Sequence, residues 1–165
     1  MTTGTVKTQG TRLFFAVSDS EILKVACPTG ITGLGGPGGQ IATTCLDSEE
    51  MEYERGMLDP GPLTVPINFI PRSAAHQALI TLRESGEKIS WMIVFSDRTG
   101  AGPTAVDSNG RLVSPGPTTA EFLAYVSDFA FDIATNEIVR GTLTLQRSGA
   151  AEWDFPAADL AWASS

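Results

Sequence analysis

Residues 45–69 read CLDSEEMEYERGMLDPGPLTVPINF, and the reading of the chain turns on the change of pattern inside them. Up to Gly61 the stretch shows neither helical nor strand periodicity. It carries Asp47, Glu49, Glu50, Glu52, Glu54 and Asp59 against the single base Arg55, so it holds −5 of the net charge of −8. Charge this dense repels itself, and the segment reads as either a solvated surface loop or a long contact loop that orders on meeting a partner. Interleaved Met51, Tyr53, Met57 and Leu58 favour contact. From Leu63 the pattern becomes strict alternation, with Leu63, Val65, Ile67 and Phe69 on one side and Thr64, Pro66 and Asn68 on the other. That period of two predicts a strand with one buried and one wet face, with Pro66 at an edge or bulge because it has no N–H for a ladder. Paired with a strand over Ile41–Leu46, it predicts a hairpin whose long tip is the acidic stretch.

Thr11–Val17 and Ile22–Ala26 read as strands. The Gly-rich ITGLGGPGGQ at 31–40 lacks the Lys-Ser/Thr ending and following helix of a phosphate cradle, and reads as turns and bulges. Ala74–Ser85 is the one helix, with Ser73 as N-cap, Gly86 just past its end and Ala75, Leu79 and Leu82 on one stripe. His76 falls off that stripe and reads as a surface or interface residue. Lys88–Ser96 is apolar on both sides, as expected of a strand covered on both faces. Residues 97–118 hold four Gly and three Pro and read as a surface excursion with a small hairpin at Ser108-Asn109-Gly110. Thr119–Ile133 and Glu137–Arg147 form a closing hairpin. Residues 1–10 read as a flexible arm and 150–165 as an acidic aromatic tail that is frayed or docked. At 165 residues this is one domain, 11–149, between two ends.

The function classes narrow accordingly. The acidic balance argues against gripping phosphates. No nucleophile elbow, zinc spacing or EF-hand pattern is present, so no catalytic residue, cofactor or metal is assigned. Cys27 and Cys45 read as small buried hydrophobes, with a bridge between them left open. No signal sequence or membrane-length apolar run is seen, and the expectation is a protein made in the cytosol. What remains are surfaces suited to self-assembly.

Several pieces resemble the tail-tube proteins of long-tailed, non-contractile bacteriophages. They are Thr43-Thr44-Cys45-Leu46-Asp47-Ser48, then Gly56-Met57-Leu58-Asp59-Pro60-Gly61, then Leu63–Phe69, the helix, the Trp-containing strand Ile89–Phe95, and FLAYVSDF with GTLTLQRSG. The resemblance spans residues 10 to 149. Two departures are Cys45, which interrupts the usual Thr-Thr-Leu, and the excursion at 97–118. The resemblance implies a β-sandwich or partly open barrel with one packed helix, whose strands join those of other subunits into an inner β-barrel in hexameric rings. Stacked rings would form a virion tube around a tape-measure protein, meet terminator and baseplate or tip proteins at the ends, and pass DNA without binding it. Subunits would lie in the host cytoplasm before assembly. It also implies that the loop 46–61 contacts the next ring through Asp47, Glu49, Glu50, Glu52, Tyr53, Glu54, Arg55 and Asp59. The lumen candidates are the wet alternates Thr64, Asn68, Arg140, Thr142, Thr144 and Gln146, with Arg140 acceptable there if paired. The alternatives are a secretion-type tube or tail-terminator protein of the same fold, and a small-ligand-binding β-barrel.

Overall fold

A computed structural model of the chain describes residues 7, 9–18, 20–45, 49–97, 102–114 and 116–155. Most of the N-terminal arm, Leu46–Ser48 in the acidic stretch and the tail beyond Phe155 therefore lie outside the described residues.

Strands β1 (Arg12–Ser18) and β2 (Glu21–Lys24) form a hairpin, and β1 also pairs antiparallel with β6 (Ile89–Val94). From β6 the sheet continues through β9 (Thr119–Asp132) and β10 (Arg140–Arg147) to β5 (Pro62–Asn68). A short C-terminal strand, β11 (Glu152–Asp154), adds to the start of β9. Two small ribbons stand apart from this sheet: β3 (Gly38–Ala42) with β4 (Tyr53–Leu58), and β7 (Ala105–Val106) with β8 (Leu112–Val113).

The sheet curls without closing into a barrel. Val25 N–H bonds Leu13 O (2.9 Å) beside one edge, and two residues later Cys27 O accepts the Asn68 N–H (3.1 Å) of the opposite edge. Two residues of extended chain reach only about 7 Å, so the two edges are close. The chain then runs along the outside of β5, where Thr29 N–H bonds Pro66 O (2.8 Å) and Thr32 and Thr64 exchange both backbone bonds (2.9 and 2.8 Å). This places Pro66 correctly at the side of β5 away from β10. Its missing N–H costs no bond in the β5–β10 ladder.

All the long strands send apolar residues to one shared core. Leu13, Phe15, Trp91, Ile93, Phe122, Phe129, Val65, Leu143 and Leu145 meet there with Ala75, Leu79 and Leu82 of helix α1 (Ala74–Ser85). The helix begins after Ser73, whose side chain makes no capping bond, and ends at Gly86, in the left-handed region at φ 67°, where its N–H bonds Leu82 O. The opposite face of β1 and β6 is covered too. Phe14, Ala16, Met92 and Val94 pack against Leu112 of β8. The 97–118 excursion, expected as a surface insertion, is thus the lid of a second small core. Its predicted hairpin exists, with Gly110 at φ 75°.

Four further expectations need correction. The strand read as Ile41–Leu46 is β3 and starts earlier, at Gly38. Its partner is β4, inside the stretch read as an aperiodic loop, while β5 pairs with β10 instead. Cys27 and Cys45 are exposed. His76 is fully buried: the Ile70 N–H donates to its Nδ1 (3.0 Å), which leaves the proton on Nε2 to donate to Ala26 O (2.9 Å). It thereby ties the helix to the crossing between the sheet edges. Replacing it, His76→Ala, empties a fully buried site and removes the bonds to the partly buried Ile70 N–H and Ala26 carbonyl, and is expected to cost about 2–4 kcal/mol, read as a lower urea midpoint at unchanged slope.

Candidate functional site

Two surfaces carry the residues singled out from the sequence. The first is an arm. Ile41 faces Glu54, Ala42 faces Tyr53 and Gln40 faces Arg55 across the β3–β4 ribbon. One further step of pairing follows, with Thr43 N–H to Glu52 O (2.9 Å) and Glu52 N–H to Thr44 Oγ1 (2.9 Å). Strand alternation splits the charges, because Tyr53 and Arg55 share one face of the ribbon with Gln40 and Ala42, while Glu54 lies on the other with Ile41. Glu49 and Glu50 are exposed at the tip, and Asp47 lies outside the described residues. Of the eleven residues in the two strands only Gly56 is partly covered. Met57 (89% exposed), Met51 (70%), Ile41 (55%) and Tyr53 (51%) stand in solvent.

The root of the arm is held tightly. A Cβ on Gly36 would lie 2.3 Å from Asp59 O, and one on Gly33, at φ 96°, 2.3 Å from Pro62 O. Only glycine lets these backbones approach, which gives the Gly-rich segment a structural purpose. The Asp59 N–H bonds Pro37 O (2.9 Å). Arg147, buried at the end of β10, donates to Gly61 O and Gly33 O (3.3 Å each). Burial pushes its guanidinium below the ordinary value, but an arginine stays charged in any ordinary buffer. Nothing in the alternation of β10 distinguished this residue, because its acceptors are backbone carbonyls far along the chain.

The second surface is the wet face of β5 and β10. Arg140 lies opposite Asn68, Thr142 opposite Pro66 and Thr144 opposite Thr64, so Thr64, Asn68, Arg140, Thr142 and Thr144 share one face, and Gln146 continues their row along β10. On its other side Arg140 lies opposite Asp132 of β9, the opposite charge beside it in the ladder. Asp132 and Ala130 extend the same face but were not picked out from sequence. Asp128, at the β9–β10 irregularity, ion-pairs with Arg83 of the helix (3.5 Å). Among the described residues, β9 beyond Ala124 has no ladder partner on its side away from β10.

Among the described residues no cluster of three or more His, Cys, Asp or Glu side chains is placed to hold a metal, and no helix is long and apolar enough to cross a membrane. The interior is filled by Trp91, Phe15, Phe122 and Phe129, each 1% exposed or less.

Residues 4–157 match the family described as phage tail tube, TTP, lambda-like. Structural protein 3 of Pseudomonas phage PAJU2 is 32% identical over 148 residues, covering 87% of this chain and 90% of that protein. In fold, the SPP1 tail tube protein, solved by solid-state NMR and cryo-EM, superposes with a TM-score of 0.66 at 11% identity, covering 95% of this chain and 84% of that one. A tail subunit of the gene transfer agent particle, refined with helical and C6 symmetry, gives 0.60 at 11% identity, over 87% and 94% of the two chains.

Proposed function

Because the chain belongs to the lambda-like phage tail tube family and is a structural protein of the phage tail, we propose that it works by polymerising into stacked hexameric rings through the two surfaces just described. The observation that carries this reading is the arm. An isolated two-stranded ribbon is marginal in water, and this one leaves nearly every side chain exposed, including four large apolar ones. A neighbouring ring supplies the missing cover, with Tyr53, Met57 and Arg55 reaching across and Glu49, Glu50, Glu52, Glu54 and Asp59 meeting basic or amide groups there. Asp47 belongs to the same set.

Within a ring the wet sheet supports edge-to-edge joining. β9, β10, β5 and the segment 28–32 form four adjacent strands, and the free side of β9 at 125–132 offers unpaired backbone groups to another copy. The shared polar face, Thr64, Asn68, Arg140, Thr142, Thr144 and Gln146, then lines the lumen. With Arg140 beside Asp132 this face presents no cluster of positive charge, and DNA can slide past without a trapping well. The tube encloses a tape-measure protein during assembly and meets terminator and baseplate proteins at its ends. It carries out no catalysis, and its subunits wait in the host cytoplasm.

Negative-stain microscopy of the concentrated, purified chain tests this. Long tubes are expected. Discrete single rings would replace the reading with a terminator-like cap, and persistent monomers that bind a small ligand would overturn it.

A further inference from the structure

Glu121 of β9 and Glu152 of β11 stand directly opposite each other in the antiparallel pair. Like charges in that position push two strands apart. Between them lies one nitrogen of Arg111, whose Nη1 is 3.2 Å from Glu121 Oε2 and 2.5 Å from Glu152 Oε1. Arg111 comes from the β7–β8 turn, which Asp107 shapes by accepting the N–H groups of Asn109 (2.8 Å) and Arg111 (2.9 Å). Glu121 is itself buried, and Ser90 of β6 donates to its Oε1 (2.6 Å) while accepting the Leu112 N–H (3.1 Å). One guanidinium therefore joins the excursion, the centre of the sheet and the C-terminal strand.

We propose that this is a charge-held clasp: Arg111 keeps the C-terminal strand docked against the repulsion of Glu121 and Glu152, and removing the guanidinium by substitution releases β11 from β9. Among the described residues, the other support of β11 is small, with Ala151 just before it packed on the main core. The strand is three residues long and exposed throughout, and beyond its ladder it gains the stacking of Trp153 on Phe95 (5.7 Å). Release bares the β9 edge at Thr119–Glu121. It also removes one wall of a cleft of about 180 Å³ in which Ala151 and Trp153 face Leu58, Asp59 and Pro60 at the root of the arm. The clasp thus borders the root of the arm, and it stands whether or not the arm binds another ring.

The charged groups facing Glu121 are Arg111 and Asp107 of the excursion and Glu152 of β11, while Arg12 of β1 is turned over the Phe14 ring (5.8 Å). Burial raises the Glu121 carboxyl above its ordinary 4.5, against the lowering pull of the Ser90 hydrogen bond and of Arg111. A raised carboxyl favours the folded state when protonated, so that contribution is full below the ordinary value and is lost as pH rises through the folded one.

The test is amide hydrogen exchange over residues 150–155 in the full-length chain. At pH 7.5, Arg111→Gln is expected to speed exchange about fivefold or more, with the rest of the sheet protected as before. The double variant Arg111→Gln/Glu152→Gln is expected to return towards the wild-type rate, because the opposed charges are gone, and for Arg111→Gln alone the rate relative to wild type at the same pH is expected to fall back towards one as the pH is lowered towards 5. Equal loosening in the single and double variants at every pH would overturn the clasp and leave Arg111 as packing. Should Arg111→Gln fail to fold, the double variant decides: recovery of the fold with a protected β11 supports the proposal, and failure to fold overturns it.

Discussion

Replacing residues 39–57 by an Asn-Gly turn between Gly38 and Leu58 is expected to abolish tube formation while leaving a folded, soluble subunit. The shortened ribbon keeps the Gly38–Leu58 pair and the Asp59 to Pro37 bond at its root, and Asn-Gly supplies the two positive φ angles of a tight hairpin. No described residue of 39–57 belongs to either buried cluster, so the urea midpoint should move by no more than about 0.5 kcal/mol equivalent, the range of changes away from core features. Assembly, by contrast, loses the apolar anchors Met57, Tyr53 and Ile41 together with the acids. Sedimentation velocity and electron microscopy on the same sample read both outcomes. Full-length tubes from this variant would remove the arm from the stacking contact. A narrower change, Glu49, Glu50, Glu52 and Glu54 all to Lys, keeps the ribbon and should weaken stacking if the facing surface is basic or neutral.

Trp91→Ala is expected to be the most damaging single change to the subunit. The indole is fully buried, stacks on Phe15 at 4.9 Å between ring centres, and donates from Nε1 to Ala124 O (3.1 Å). Truncation opens a cavity in the middle of the sheet and removes the indole's bond to that carbonyl, a loss of about 3–5 kcal/mol. Since a domain holds only about 5–15 kcal/mol in total, the melting temperature should fall by roughly 10 °C or more. Trp91→Phe restores most of the volume but not the donor, and should recover part of the loss. A drop under about 2 °C for the alanine variant would mean that β6 is not the central, doubly covered strand described above.

The sequence made β6, β5, β10 and the helix legible because each carries a period that one packing environment enforces. Ile89–Val94 is apolar on both sides because two cores flank it, and Leu63, Val65 and Ile67 alternate because only one does. The polar alternates of β5 and β10 could be named in advance and lie in register for the same reason. The β4 strand was hidden because it is exposed on both faces, so no burial pattern marks it, and its acids read as a loop. His76 was misread since its environment is made by backbone groups of Ile70 and Ala26, which leave no side-chain motif. Arg147 and Arg111 were missed likewise, one held by carbonyls and the other joining residues from three separate segments.

The most direct test of how this tail tube protein works is a helical cryo-EM reconstruction of tubes grown from the full-length chain. Rings of six are expected, with the β3–β4 arm lying between successive rings and Thr64, Asn68, Thr142 and Thr144 facing the lumen. A tube with the β5–β10 polar face on its outer wall, or with the arm free in solvent, would contradict this arrangement.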